Sequence, residues 1–307
     1  MLSVIIPAYN EDKTIRTAAE TISGILSRES VDYEIVFVDD GSSDGTWKEI
    51  VSAAADIDGI RGLHFSRNFG KEAAMFAGLS DVKGDCAVVI DCDLQHPPEK
   101  IVEMYRLWEQ GYQVVEGIKE DRGTESAAHR FAANSFYKLI SGATGMDMSS
   151  SSDFKLLDRK VVDTLNSMPE KNMFFRALSF WVGFERAEVK YDVQERKAGQ
   201  SKWSTKALIK YALNNIGSFS TAPIKLITVL GLIMMIVSVI FGAISLVQKF
   251  MGQAADGFTT VNILLLFSSS IIMVSLGIIG FYVSRIYEEI KGRPRYIISD
   301  RTGDKNG

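Results

Sequence analysis

Along the first 120 residues, short apolar runs alternate with stretches whose apolar residues recur at helical spacing. Ser3–Pro7, Glu34–Asp39, Gly62–Phe65, Ala87–Asp91 and Val114–Gly117 have the pattern of buried strands. Asp12–Arg28, Thr46–Ala55, Lys71–Val82 and Glu99–Gln110 have that of amphipathic helices. This alternation predicts an α/β fold, a mostly parallel sheet with helices on both faces. In such sheets ligands bind beyond the carboxyl ends of the strands. Tyr9-Asn10-Glu11, Asp39-Asp40-Gly41-Ser42 and Asp91-Cys92-Asp93 each follow a strand, which places the active edge. Residues 120–200 are less regular, with a helix-like stretch at Glu125–Ser141, a strand-like run at Phe154–Leu157 and a basic segment at Gln194–Lys202.

The pattern changes in the last third. Leu226–Val247 and Gly257–Ser284 contain no charged residue, and at about 1.5 Å per residue each can cross a hydrocarbon core of roughly 30 Å. Lys202, Lys206, Lys210 and Lys225 precede the first run; Arg285, Lys291, Arg293 and Arg295 follow the second. Basic residues stay on the cytoplasmic side, so both ends are expected there. Ser204–Phe219 sets Leu208, Ile209, Ala212, Leu213 and Ile216 on one face beside Lys206 and Lys210. That suits a helix lying in the membrane interface, or a surface helix packed on the domain. The expected organisation is a cytosolic domain over 1–203, an interfacial helix over 204–222, and spans at 223–248 and 261–284. An extracytoplasmic loop at 249–260 and a cytoplasmic tail at 285–307 complete a multi-pass protein of the plasma membrane.

Composition narrows the class. With 307 residues, 46% hydrophobic and 23% charged, the chain can bury a sizeable core. A net charge of -4 gives no basis for a nucleic-acid partner. The two cysteines, Cys86 and Cys92, fall in or beside an apolar run and are expected in the core of a protein from a reducing compartment. Gly231, Gly242, Gly277 and Gly280 allow close helix packing in the spans, as a homo-oligomer would use.

The chemistry is concentrated at the strand ends. At the strand end, period-two alternation is expected to point the Asp91 and Asp93 carboxylates to one side and Cys92 into packing. Two hard oxygen donors with open positions suit Mg²⁺ or Mn²⁺ bridging the phosphates of a nucleotide. Gly41–Thr46 is what a turn and helix N-cap use. The turn does not account for two successive acids after a hydrophobic strand, which suit acceptance of hydrogen bonds from a base or ribose. No Gly-x-Gly-x-x-Gly follows the first strand, which removes a hydride-transferring dinucleotide enzyme.

These motifs, with Pro7-Ala8-Tyr9-Asn10-Glu11, Ser66-Arg67-Asn68-Phe69-Gly70-Lys71-Glu72, Asp91 to Pro98, Ser152 to Arg159 and Arg196 to Trp203, resemble the family 2 glycosyltransferases of the GT-A fold. Within them the chain is similar to the polyprenyl-phosphate group, which includes dolichol-phosphate mannose synthases and bactoprenol glucosyltransferases. The resemblance implies that Tyr9 and Asp40 contact the nucleotide base with Pro7 and Glu11 nearby, and that Asp91, Asp93 and Gln95 hold the metal. It implies a catalytic role for Asp93 and for Asp153, the latter as base or as a group that orients the acceptor. Arg196 and Lys202 match phosphate-binding cations, as Arg122 and Arg130 do in a segment that matches more loosely. The implied reaction is inverting transfer of a hexose, glucose first, from a UDP-sugar to undecaprenyl phosphate. UDP-N-acetylhexosamine or GDP-mannose as donor, and a non-catalytic nucleotide-binding membrane scaffold, are the alternatives. A processive polysaccharide synthase is disfavoured because no Gln-x-x-Arg-Trp occurs.

Overall fold

The computed structural model describes residues 1–120, 152–170, 174–192, 222–251 and 258–302. The helix-like stretch at 125–141, the basic segment at 194–202 and the interfacial helix before residue 222 lie outside the described residues. So do Arg122, Arg130, Arg196 and Lys202. The chain divides into two units, 1–205 with 294–307, and 206–293.

The first unit opens with β1 (Leu2–Ala8), α1 (Ile15–Arg28), β2 (Tyr33–Asp39), α2 (Thr46–Asp56), β3 (Ile60–Phe65), α3 (Lys71–Asp81) and β4 (Cys86–Val89). It continues with α4 (Lys100–Glu109), β5 (Val114–Lys119), β6 (Lys155–Asp158), α5 (Arg159–Ser167), α6 (Phe175–Trp181) and β7 (Arg186–Tyr191). With β8 (Ile298–Arg301), the strands form one sheet in the order β7-β5-β6-β4-β1-β2-β3-β8.

The sheet's centre is parallel: β1 pairs with β2 and β4, and β2 with β3. Every residue of β1 is buried, as expected of a strand covered on both faces. Helix α1 turns Ile15, Ala18, Ala19, Ile22 and Leu26 into the core, and α3 crosses β1 so closely that a Cβ on Gly78 would overlap Ile5. Strand β6 runs antiparallel between β4 and β5. It brings the residue before it, Phe154, and with it Asp153, to the edge where the parallel strands end. Asp158 then caps α5 by accepting a hydrogen bond from the Lys160 amide.

Residues 294–302 depart from the expected tail. Strand β8 pairs antiparallel with β3 and closes the sheet's edge. The sequence hides this because the strand is four residues long and only alternately half-buried, as an edge strand can be.

The second unit contains α7 (Ala222–Phe250) and α8 (Phe258–Ile290). Their segments Ile227–Ile244 and Phe267–Ile290 have mean hydropathies of 2.7 and 1.8 and are long and apolar enough to cross a membrane. Large apolar side chains such as Val239, Phe250 and Met273 are exposed along both.

Candidate active site

The loops after the strands are bonded to one another in sequence. After β1, the Asn10 amide donates to Ser42 Oγ at 2.8 Å and the Glu11 amide to Thr46 Oγ1 at 2.8 Å. In return, Asn10 Oδ1 accepts from the Ser43 amide at 2.9 Å. Asn10 sits at φ 55 and Gly41 at φ 64; a Cβ on Gly41 would overlap the Arg67 backbone, so glycine is required where these loops meet.

Asp39 and Asp40 divide the work. Asp39 is fully buried, accepts from Ser42 and lies 2.7 Å from His64 Nδ1. Asp40 accepts from the Phe69 amide at 2.7 Å and, through its other oxygen, from the Gly70 amide at 2.9 Å. Burial pushes the Asp40 carboxyl up to about 6, against the lowering effect of those two amides. The ring of Tyr9 stands 41% exposed beside this loop system, whereas Pro7 is buried within β1 opposite Val38.

Beyond β4 the expected alternation fails. The strand ends at Val89, and Asp91–Leu94 is a turn in which Leu94 adopts φ 54 and the Gln95 amide donates to Asp93 Oδ1 at 3.1 Å. Cys92 does enter the core, with Sγ 3.1 Å from Thr14 Oγ1, and both cysteines are free and buried. Asp91 turns to Lys71, whose ammonium lies 2.6 Å from its Oδ1.

Lys71 is the hinge of a charge network. Its ammonium also lies 2.9 Å from Asp153 Oδ2, and Arg176 grips the same carboxylate through Nε at 2.7 Å and Nη2 at 3.0 Å. Burial opposes the Asp153 charge, but Arg176 and Lys71 outweigh it and hold the carboxyl well below the usual range. Burial likewise opposes charge on Lys71, and Asp153 and Asp91 overcome it and raise its pKa. Glu72, accepting from the Phe175 amide, is pushed up to about 7 by burial and by the neighbouring Asp153 charge. His96 lies against Phe154 and Tyr191, with ring centroids at 5.1 and 5.4 Å, and burial lowers its pKa.

The donor set can be tested for a divalent cation. Among the described residues no group of three or more His, Cys, Asp or Glu side chains could hold a metal. Asp91 and Asp93 provide two hard oxygen donors at one turn, and Lys71 keeps Asp91 ionised. That set fits Mg²⁺ or Mn²⁺ only if a ligand such as a diphosphate completes the shell.

Comparison with known proteins decides the family. The model for "Glycosyl transferase family 2" matches residues 3–165. The chain belongs to glycosyl transferase family 2. This glycosyltransferase is 37% identical over 300 residues to the prophage bactoprenol glucosyl transferase homolog of Escherichia coli K12, covering 97% of this chain and 98% of the relative. It is 36% identical over 303 residues to a bactoprenol glucosyl transferase of Shigella phage SfX, covering 98% and 99%. An uncharacterized glycosyltransferase of Bacillus subtilis, YkcC, is 38% identical over 307 residues, 99% of this chain and 95% of the relative. The fold is shared with glucosyl-3-phosphoglycerate synthase from Mycobacterium tuberculosis in complex with Mn²⁺, UDP and phosphoglyceric acid. There the TM-score is 0.54 at 21% identity, covering 71% of this chain and 76% of that one. The fold is therefore GT-A.

In the glycosyltransferase, Tyr9, Glu11, Asp40, Asp91, Asp93, Gln95 and Asp153 all lie on or beside the loops that follow the strands. Lys71, Glu72 and Arg176 were not singled out from sequence as site residues. For Lys71 and Glu72 a signal existed, since they close the Ser66–Glu72 motif; Arg176 lies in a segment without one.

Proposed function

We propose that the glycosyltransferase transfers a hexose, glucose first, from a UDP-sugar to a polyprenyl phosphate such as undecaprenyl phosphate, inverting the anomeric carbon. The observation that carries this reading is the similarity to bactoprenol glucosyl transferases, which runs through both apolar helices as well as the sheet. The exposed Tyr9 ring and the Asp40 carboxylate are the groups suited to a uracil base, with Glu11 beside them. Asp91, Asp93 and Gln95 would hold Mg²⁺ or Mn²⁺, which supplies charge neutralisation of the leaving diphosphate when bound.

Asp153 is better suited to positioning than to proton abstraction. A carboxylate held well below its usual pKa is a poor base at neutral pH. A phosphate monoester with a second pKa of about 6 is mostly dianionic there and needs little proton removal. Asp153 instead fixes Lys71 and Arg176, so two cations stand ready where anionic substrates meet. Attack by the phosphate oxygen opposite the diphosphate gives inversion in a single displacement. Arg196 and Lys202 are assigned to the acceptor phosphate, and Arg122 and Arg130 to the same anionic groups.

The two apolar helices, together with the similarity to bactoprenol glucosyl transferases, support membrane attachment. Strands on both sides of them, β1–β7 and β8, belong to one sheet. This supports an even number of crossings, and the basic residues that flank the two runs assign the catalytic unit to the cytoplasmic side. The test is a transfer assay on detergent-purified protein with Mg²⁺ or Mn²⁺, undecaprenyl phosphate and radiolabelled UDP- and GDP-sugars. Label from UDP-glucose in the organic phase is expected. Label only from a GDP-sugar or UDP-N-acetylhexosamine would replace the donor, and none from any donor, with nucleotide still bound, would remove the lipid acceptor.

A further inference from the structure

Residues 294–302 do more than close an edge. Arg295 donates to the Met168 carbonyl, the Ser66 amide donates to the Ile297 carbonyl at 3.0 Å, and Arg301 pairs with Asp81. Gly62 is bonded at both its amide and its carbonyl: it donates to Thr302 Oγ1 at 2.9 Å and accepts from the Thr302 amide at 3.0 Å. The strap is thus fastened along β3 from Gly62 to Phe65 and onto Ser66, the first residue of the loop that follows it.

Two lines of contact run from the strap to the paired acids Asp39 and Asp40 at the end of β2. In the first, the Tyr296 ring stacks on Phe65 with centroids 5.1 Å apart and planes 9° from parallel. Phe65, fully buried, meets Phe69 edge-on at 5.7 Å. The Phe69 and Gly70 amides are the donors that fix Asp40. In the second, Ser299 Oγ donates to the His64 carbonyl at 3.2 Å, and the His64 ring meets Asp39. The second line also satisfies a carbonyl of the β3 edge, whereas the aromatic line satisfies no backbone group; the two end on Asp39 and on the loop that holds Asp40.

We propose that the segment after the helix pair is a positioning element of the nucleotide site, with Tyr296 acting through Phe65 and Phe69 to set the amides that hold Asp40. The proposal deepens the function given above and rests on it for the assignment of Asp40 to the donor. Because the strap follows α8, the donor pocket is complete only when the chain has returned from the helix pair. The segment that leaves the membrane helices therefore helps to build the site.

The test uses the full chain in lipid nanodiscs, with Tyr296→Ala, Tyr296→Leu and Tyr296→Phe. Tyr296→Ala should raise the KM for UDP-glucose by roughly three- to tenfold, the factor that matches loss of one aromatic pair. The KM for undecaprenyl phosphate should not change, and kcat should stay within about twofold. Tyr296→Phe keeps the stacked ring and should restore wild-type values; Tyr296→Leu keeps volume without the ring and gives the same reading if the alanine variant fails to fold. Independently, amide hydrogen exchange at Phe69 and Gly70 should quicken in the alanine and leucine variants without any substrate. A loss of kcat at constant donor KM, or unchanged exchange at those two amides, overturns the proposal. If the wild-type protein binds no UDP-sugar, the function proposed above falls, while the exchange measurement still decides whether the strap holds the loop.

Discussion

Replacing Asp153 with Asn keeps the side chain's size and removes its charge, at a site only 11% exposed and gripped by two cations. With its oxygen in the Oδ2 position the amide still accepts from Lys71 Nζ and Arg176 Nη2, two of the three donors now within 2.7–3.0 Å, but its NH₂ then opposes Arg176 Nε. Breaking a buried ion pair costs about 3–5 kcal/mol. Lys71 keeps Asp91 as a partner, which puts the expected loss near the low end, about 3 kcal/mol, or about 6–12 °C in Tm for a domain of this size. Misplaced cations should lower kcat about 100-fold, with donor KM changed by less than about twofold. The pH dependence has a definite sign. A carboxyl whose folded pKa is depressed contributes stability above its unfolded value and loses it as pH falls through the folded value. The part of the Tm gap that comes from Asp153 itself should therefore close only in strong acid, while between about pH 5 and 7 the gap should narrow as pH rises, because beside burial it is the Asp153 charge that raises Glu72 and the variant relieves that cost. Initial rates and thermal melts across that range check both statements. A kcat within about threefold of wild type would refute the positioning role, and collapse of UDP binding would move Asp153 to the donor side. A variant rate rising about tenfold per pH unit would show that Asp153 takes a proton after all.

Other outcomes follow from the same geometry. Asp93→Asn should abolish transfer and metal-dependent UDP binding together, and metal-dependent turnover retained in calorimetry and assay would take Asp93 out of the site. Asp40 is protonated below about pH 6 because burial raises its pKa, so the UDP-glucose KM should rise as pH falls through that value. Asp40→Asn should flatten that profile, and an unchanged pH dependence in the variant would exclude Asp40 from the base pocket. Gly41→Ala introduces left-handed strain and a clash with the Arg67 backbone, together about 2–5 kcal/mol by denaturant unfolding. A loss under about 0.5 kcal/mol would show that the two loops can separate without cost.

Much of the site was legible because it is local. A parallel strand buried on both faces must be a continuous apolar run, and the turn that ends it must use Asp, Asn, Gly or Ser. So Ser3–Pro7, Glu34–Asp39 and Ala87–Asp91 announced the strands, and Tyr9, Asp40, Asp91 and Asp93 announced the edge that carries the candidate site. The charge-free runs at Leu226–Val247 and Gly257–Ser284 fixed the helix pair, since length and hydropathy alone define a candidate span.

Other features depended on which distant residues meet. Strand alternation predicted that Asp91 and Asp93 share a side, but β4 ends two residues earlier and the chain turns, because Lys71 draws Asp91 and the Gln95 amide draws Asp93. Asp153 looked free to act as a base until the antiparallel β6 brought it against Lys71 and α6 supplied Arg176, and only that meeting sets its pKa. The strap at 294–302 read as a tail because a four-residue edge strand, exposed at alternate positions, buries too little to mark itself. Local sequence set which side chains stand at the end of each strand. Only tertiary packing decided which of them face one another, because pairing energy and burial depend on distance in space and leave no period along the chain.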